Sequence, residues 1–233
     1  MNVKSVAAIA GLIGESGRIQ MLALLLDGSR HSASELAIAA DVSAQTASSH
    51  LSKLMAGGLI VSQRNGRQRL FRLKNRDVAV AIEALVALAQ ERDRPAMPEI
   101  RYARTCYDHL AGALAVALRK EFLQRGALRY REGHCVVTSA GKRLLLTLDL
   151  DVDELSKLRR SFASDCLDWT ERQHHIGGAL GATLLFSFFR RNWLARVRGS
   201  RVVRVTHAGE VGFEKVFGIR CAEVQARSYH LAK

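Results

Sequence analysis

Cysteines and histidines in the second half of this chain recur at related spacings, and together they have the donor set of a soft-metal site. Cys106 and His109 stand three apart, a separation that puts a thiolate and an imidazole on one face of a helix. Cys166 follows sixty residues after Cys106, with His174 and His175 further on. If the two segments pack about a pseudo-twofold axis, Cys106, His109, Cys166 and one of His174 or His175 converge as two sulfurs and two nitrogens. Such a set suits a thiophilic divalent ion (zinc, cadmium or lead), and its thiols would also attract arsenite. Asp108 and Asp168 are placed to back the imidazoles or to ligate. The alternative is that the cysteines are small core residues and that His109 caps or pairs locally. His134 and Cys135 are neighbours in a strand-like stretch, so alternation sends them to opposite faces. Cys221 has no evident partner.

The elements that must position these donors form an internal repeat. Tyr102-Ala103-Arg104-Thr105-Cys106-Tyr107-Asp108-His109 returns as Phe162-Ala163-Ser164-Asp165-Cys166-Leu167-Asp168-Trp169. After an insertion in the second copy, His109 to Leu114 matches His175 to Leu180. Each copy continues as an apolar helix and a hairpin that finishes in Thr-x-Ala-Gly, at Thr138 to Gly141 and Thr206 to Gly209. The pattern predicts two winged-helix-like helix–hairpin modules, with a short helix over Leu155 to Phe162 between them. Both copies keep glycine near the start of the apolar helix, at Gly112 and Gly178, where a packed helix or a ligand is expected to approach closely.

A second constellation spans residues 32–73. Ser32 and Glu35 form a capping box ahead of one helix. Ser43 caps a second helix, which carries Ala47, Leu51 and Leu54 at helical spacing and stops at Gly57-Gly58. The opposite face of that helix is expected to present Gln45, Thr46, Ser49, His50 and Lys53, short or neutral side chains suited to base edges, and Ser43 at its start is expected to join them at the DNA. Leu59-Ile60-Val61, Asn65-Gly66 and Arg69 to Leu73 then read as a hairpin. From Val42 to Arg76 the chain has Lys53, Arg64, Arg67, Arg69, Arg72, Lys74 and Arg76 and no acidic residue, the signature of a surface for a polyanion. A solvated hairpin with incidental arginines is the bland alternative.

Residues 9–73 resemble the winged helix-turn-helix of the ArsR/SmtB family of bacterial repressors. The segments that carry the resemblance are Gly17 to Leu22, Ser34 to Ala37, Ser49 to Leu54, Gly57 to Ile60 and Asn65 to Arg67. It implies a homodimer that sets the second helix in the major groove of double-stranded operator DNA and the wing on the backbone; Arg64, Arg67 and Arg69, around the Asn65-Gly66 turn, are expected to touch phosphates or reach into the minor groove. It also implies that apolar helices over 3–13 and 77–89 pair two subunits; ordinary core helices would show the same stripes. The family's usual cysteine motif would fall in Glu35 to Asp41, which has no cysteine. Its carboxylate–histidine site would fall in Asp77 to Arg92, which has no histidine. Any metal sensing is therefore expected in the extension beyond.

Composition agrees with a DNA-binding chain. The 233 residues are 48% apolar with a formal net charge of +13, enough for a core and strongly attractive to nucleic acid. No apolar run is long enough to span a bilayer, and four dispersed cysteines suit a reducing compartment, so a cytoplasmic protein without a membrane role is expected. Pro95 and Pro98, the only prolines, lie among charges and place a linker between residues 1–92, the DNA-binding and dimerisation domain, and residues 99–233, the sensing domain. The fold class is mainly α with small β-hairpins, an α+β arrangement. Enzyme signatures such as G-x-S-x-G, a phosphate loop or HExxH are missing. A second basic run, with Arg190, Arg191, Arg196, Arg198, Arg201 and Arg204, is either a further phosphate contact or a solvated face. The function expected is a repressor modulated by a metal or arsenite effector. The alternatives are sensing of a small organic or redox effector, and effector-free architectural binding of DNA.

Overall fold

A computed structural model describes residues 2–66, 68–89, 98–131, 134–157, 161–198 and 200–230. The chain divides into two compact units, residues 1–85 and 86–233. The fold is mixed α and β, with a winged helix-turn-helix in the first unit. No single helix among the described residues is long and apolar enough to cross a membrane.

The first unit begins with α1 (Val3–Ile13) and α2 (Ser16–Leu25). Glu15 caps α2 by accepting from the amides of Gly17 and Arg18, which satisfies two donors at the helix start. The buried Arg18 reaches back and donates to the carbonyls of Leu12 and Gly11 at 2.6 and 2.9 Å, closing the end of α1. A short strand β1 (His31–Ser32) leads into α3 (Ala33–Ala39), and the Ser32–Glu35 capping box forms as expected. Asp41, at φ +51°, makes the turn, and Ser43 caps α4 (Ala44–Ala56). Strands β2 (Ile60–Asn65) and β3 (Gln68–Leu73) make the wing, and β1 adds to β3 to give the order β1-β3-β2. Asn65 still pairs with Gln68, so the strands run one position further than an Asn65-Gly66 turn pair suggests. Helix α5 (Arg76–Ala89) follows. Met21, Leu22, Leu25, Leu36, Leu51, Leu54, Phe71 and Leu73 are buried and hold these elements together. The expected linker falls largely at residues 90–97, outside the described residues.

The second unit starts with α6 (Pro98–Tyr102), β4 (Arg104–Cys106), β5 (His109–Ala111), α7 (Ala113–Gln124), β6 (Leu128–Arg131), β7 (His134–Val137) and α8 (Ser139–Leu146). After α9 (Val152–Ser156) come β8 (Ser164–Leu167), β9 (His174–Gly177), α10 (Gly178–Arg190), β10 (Leu194–Arg196), β11 (Val203–Val205), α11 (His207–Phe217) and α12 (Cys221–His230). The four hairpins β4-β5, β6-β7, β8-β9 and β10-β11 are separate two-stranded antiparallel sheets. The short linking helix lies earlier than the expected 155–162, because Asp151 caps it by accepting from the amides of Asp153 and Glu154. Thr138 and Thr206 likewise cap α8 and α11, which explains the two Thr-x-Ala-Gly segments. Phe188 stacks on Trp193 with ring centroids 5.6 Å apart, and Phe122, Phe213 and Phe217 complete an aromatic core.

Candidate nucleic-acid interface and metal centre

Helix α4 puts Ala47, Leu51 and Leu54 inward and leaves Gln45, Thr46, Ser49 and Lys53 exposed. Ser43 is bound up in the cap, with its hydroxyl 2.9 Å from that of Thr46. His50 is not on the exposed face. It is 8% exposed, with Nε2 3.4 Å from Glu15 Oε2 and its ring lying over Gly17. The reason is helical period, since position 50 is three after Ala47 and four before Leu54, on the apolar stripe. On the wing, Arg64 is exposed. Arg69 donates to Ser62 Oγ at 2.9 Å and sits 5.4 Å over the Phe71 ring, which holds the guanidinium along the hairpin. Arg67 lies outside the described residues. The second basic run is partly engaged elsewhere: Arg191 pairs with Asp149 at 2.6 Å, and Arg196 lies 4.7 Å over Phe189.

The cysteines and histidines of the second unit meet on two hairpins, not on helices. Cys106 pairs with His109 across β4-β5, and Cys166 pairs with His175 across β8-β9. A two-residue turn, with Tyr107 at φ +59°, makes residues three apart cross-strand partners, so the spacing that suggests a helix face describes a hairpin end instead. The sulfurs of Cys106 and Cys166 are 3.9 Å apart, and the Nε2 atoms of His109 and His175 are 3.1 Å apart. The donor atoms of Cys106, His109, Cys166 and His175 all lie within 4.8 Å of one another, and all four residues are buried. His174 does not join them: strand alternation turns it outward, where it is exposed.

Glycine has a different role here from the one expected. Gly112 has φ +91° and Gly178 φ +78°, and a Cβ on either would run into backbone carbonyls of residues 101–102 or 161–162. The close approach is made by the chain's own preceding segment, at the point where each hairpin turns into its helix.

Around the cluster lies a set of charges, of which Asp168 and Arg104 are fully buried and Asp108 partly exposed. Asp108 Oδ1 stands 3.2 Å from His109 Nδ1, and Asp168 Oδ2 stands 3.3 Å from His175 Nδ1. Asp168 also accepts from Arg104 at 3.0 Å and from the Gly112 amide at 2.6 Å. Burial alone would raise the Asp168 carboxyl, but Arg104 and His175 hold it well below the usual range. Burial disfavours charge on His175 too, yet Asp168 and Cys166 raise its imidazole above the ordinary value. The neighbouring Cys106 thiol lowers Cys166, and the two imidazoles carry it further down against burial, so this sulfur is prepared to act as a thiolate. Arg104, fully buried and 4.6 Å over Trp169, is the residue sequence reasoning missed. Its counterpart in the second segment is Ser164, so the internal comparison gives it no signal.

A cavity of about 370 Å³ lies elsewhere in the second unit, lined among others by Tyr102, Val203, Val205, Glu210, Gln225 and Tyr229.

The family model of the bacterial regulatory protein, arsR family, matches residues 15–62. Over 222 residues, 93% of this chain and 98% of the relative, the chain is 37% identical to an uncharacterized HTH-type transcriptional regulator, YdfF, of Bacillus subtilis (strain 168). That match extends through both units. Among solved structures, a homodimeric winged helix-turn-helix DNA-binding domain from Mycobacterium bovis is 27% identical over 41% of this chain and 86% of that one, with a TM-score of 0.35. Reduced HlyU from Vibrio cholerae is 26% identical over 37% of this chain and 90% of its own, also with a TM-score of 0.35. With its helix, turn and helix in the matched region, and with a full-length regulator as its relative, the chain belongs to the ArsR family of bacterial HTH-type transcriptional regulators.

Proposed function

We propose that the chain is a cytoplasmic repressor that binds double-stranded operator DNA as a homodimer, and that its C-terminal unit senses an effector that changes operator affinity. Residues 1–92 serve DNA binding and dimerisation, and residues 99–233 serve sensing. The observation that carries the DNA reading is the exposed row Gln45, Thr46 and Ser49 on α4, next to a wing rich in arginine and free of acidic residues. Dimerisation draws support from exposed Val3, Val6 and Ile9 on α1 and Val80, Leu85 and Leu88 on α5, apolar faces that a second copy would cover.

The effector is a thiophilic metal ion or arsenite, on the strength of the two thiols and two imidazoles brought together in the second unit. The two hairpin–helix segments are copies of one winged-helix-like module. Their matching element order and their reciprocal packing, α10 on β5 and α7 on β9, support that reading. An effector acts only through unequal affinity for the binding and non-binding states of the dimer. A second reading, a small organic effector, is favoured by the cavity beside Tyr102 and Tyr229.

The test is footprinting of the full chain on the DNA upstream of its own gene, with and without added zinc, cadmium or arsenite. A footprint with two-fold symmetry that one of these effectors alters supports the proposal. Uniform protection of any duplex, indifferent to every effector, replaces it with an architectural role.

A further inference from the structure

We propose that Cys106, His109, Cys166 and His175 form a tetrahedral site for one zinc-like divalent ion, bound through two sulfurs and two Nε2 atoms. The inference deepens the effector reading above and rests on it only for the consequence at DNA.

Three features carry it. The first is dimension. Bonds of about 2.3 Å to sulfur and about 2.0–2.1 Å to nitrogen give tetrahedral edges of about 3.8 Å between sulfurs and about 3.3 Å between nitrogens. The distances found are 3.9 and 3.1 Å. Both are within about 0.2 Å of those edges, and every donor atom lies within 4.8 Å of the others, so a small closing of the cluster brings all four onto one ion.

The second is orientation. A carboxylate oxygen stands 3.2 Å from His109 Nδ1 and 3.3 Å from His175 Nδ1, a placement that favours the ring proton on Nδ1 and the lone pair on Nε2. Two such lone pairs pointing at each other across 3.1 Å need a proton or a cation between them. The same carboxylate–imidazole arrangement fixes the rings of zinc ligands.

The third is burial. All four donors are shielded, and Asp168, which backs His175, is itself fully buried and fixed by Arg104, Thr170 and the Gly112 amide. A closed site of this kind leaves no position for water or substrate, which marks a structural or sensing ion and not a catalytic one. Two sulfurs with two nitrogens select zinc, cadmium or cobalt over arsenite, which is satisfied by thiolates alone.

The full chain, stripped of metal by a chelator under reducing conditions, would be titrated with cobalt and followed by its visible ligand-field absorption. The expected result is one cobalt per chain with the intense bands of a tetrahedral thiolate site, displaced by zinc. Cys106→Ser, Cys166→Ser and His175→Ala should each abolish those bands, while His174→Ala keeps them. Because a substitution in the cluster could impair folding, Asp108→Asn provides a milder arm: it should keep the bands and weaken affinity by about tenfold or more. Weak octahedral absorption, full bands in either cysteine variant, loss of the bands in His174→Ala, an unchanged affinity in Asp108→Asn, or displacement of cobalt by equimolar arsenite would overturn the site. Operator binding measured on the same samples separates the two levels. Intact, specific DNA binding without a cobalt site rejects the metal and keeps the regulator; a cobalt site without specific DNA binding does the reverse.

Discussion

His50 Nε2 lies 3.4 Å from Glu15 Oε2, so α4, the proposed recognition helix, is tied at its middle to the cap of α2. The same carboxylate accepts from the amides of Gly17 and Arg18. Replacing His50 therefore acts on packing before it acts on recognition. His50→Ala is expected to destabilise the first unit by about 1–2 kcal/mol, the usual cost of a lost buried polar contact. Thermal unfolding measures the cost. Affinity for operator and for unrelated duplex should fall by equal factors; a loss confined to operator would put the imidazole back at the bases.

Base reading would then fall to the side chains that remain exposed. Gln45→Ala or Ser49→Ala should weaken operator binding by about 1–3 kcal/mol if the replaced side chain makes a good base contact, with little change on random DNA. Competition binding against both duplexes gives the ratio. Equal weakening on the two would assign these residues to the backbone.

The wing is expected to act through charge. For each phosphate contact removed, the slope of log affinity against log salt should flatten by about 0.9 on duplex DNA. Arg64→Ala tests an exposed wing residue, and Arg69→Ala tests one already held by Ser62 and Phe71. Arg64→Ala should show the full change. Should the combined Arg64, Arg67 and Arg69 alanine variant keep the parent slope, the hairpin does not touch DNA.

Asp27 and His31 make the first unit's stability depend on pH. Their side chains are 2.9 Å apart, and Ser29 joins both. The Asp27 hydrogen bond raises the His31 imidazole above its ordinary value despite burial. That contribution is complete below about pH 6.5, the unfolded value, and is lost as pH rises through the raised one. Burial would raise Asp27, but hydrogen bonds from His31 and Ser29 leave it lowered, so its contribution holds above about pH 3.9 and is lost as pH falls through the lowered value. The pair is strongest between those limits. The melting temperature of His31→Gln should fall less between pH 6 and 8 than that of the parent chain, as circular dichroism across that range would show; parallel curves would remove the pair from the pH response.

Local signals explain which parts of the fold could be read from sequence. Ser32 with Glu35, Ser43 and the Gly57-Gly58 stop act within one helical turn, and the structure has those caps. The inward place of His50 is also legible, because its spacing from Ala47 and Leu54 is that of the buried stripe, although its polar side chain suits the exposed face equally well. Cys106 and His109 show a real ambiguity. Residues three apart share a helix face, and they also face each other across a two-residue turn, so only the surrounding chain decides. The choice between His174 and His175 depends on strand register, which no local pattern supplies. Arg104 depends on Asp168, far away in sequence, and a long-range ion pair leaves no periodic trace.

The two hairpins divide the donors evenly, one sulfur and one nitrogen from each. Neither hairpin alone offers more than half a coordination sphere. An ion held by one would meet the other as a tethered partner at high effective concentration, so affinity would depend on how often the two hairpins dock. By reciprocity a bound ion would be a clasp: whatever pulled β4-β5 away from β8-β9 would expel it, and whatever expelled it would loosen that junction. The occupancy of such a clasp would report the mechanical state of the C-terminal unit as faithfully as it reports the metal supply.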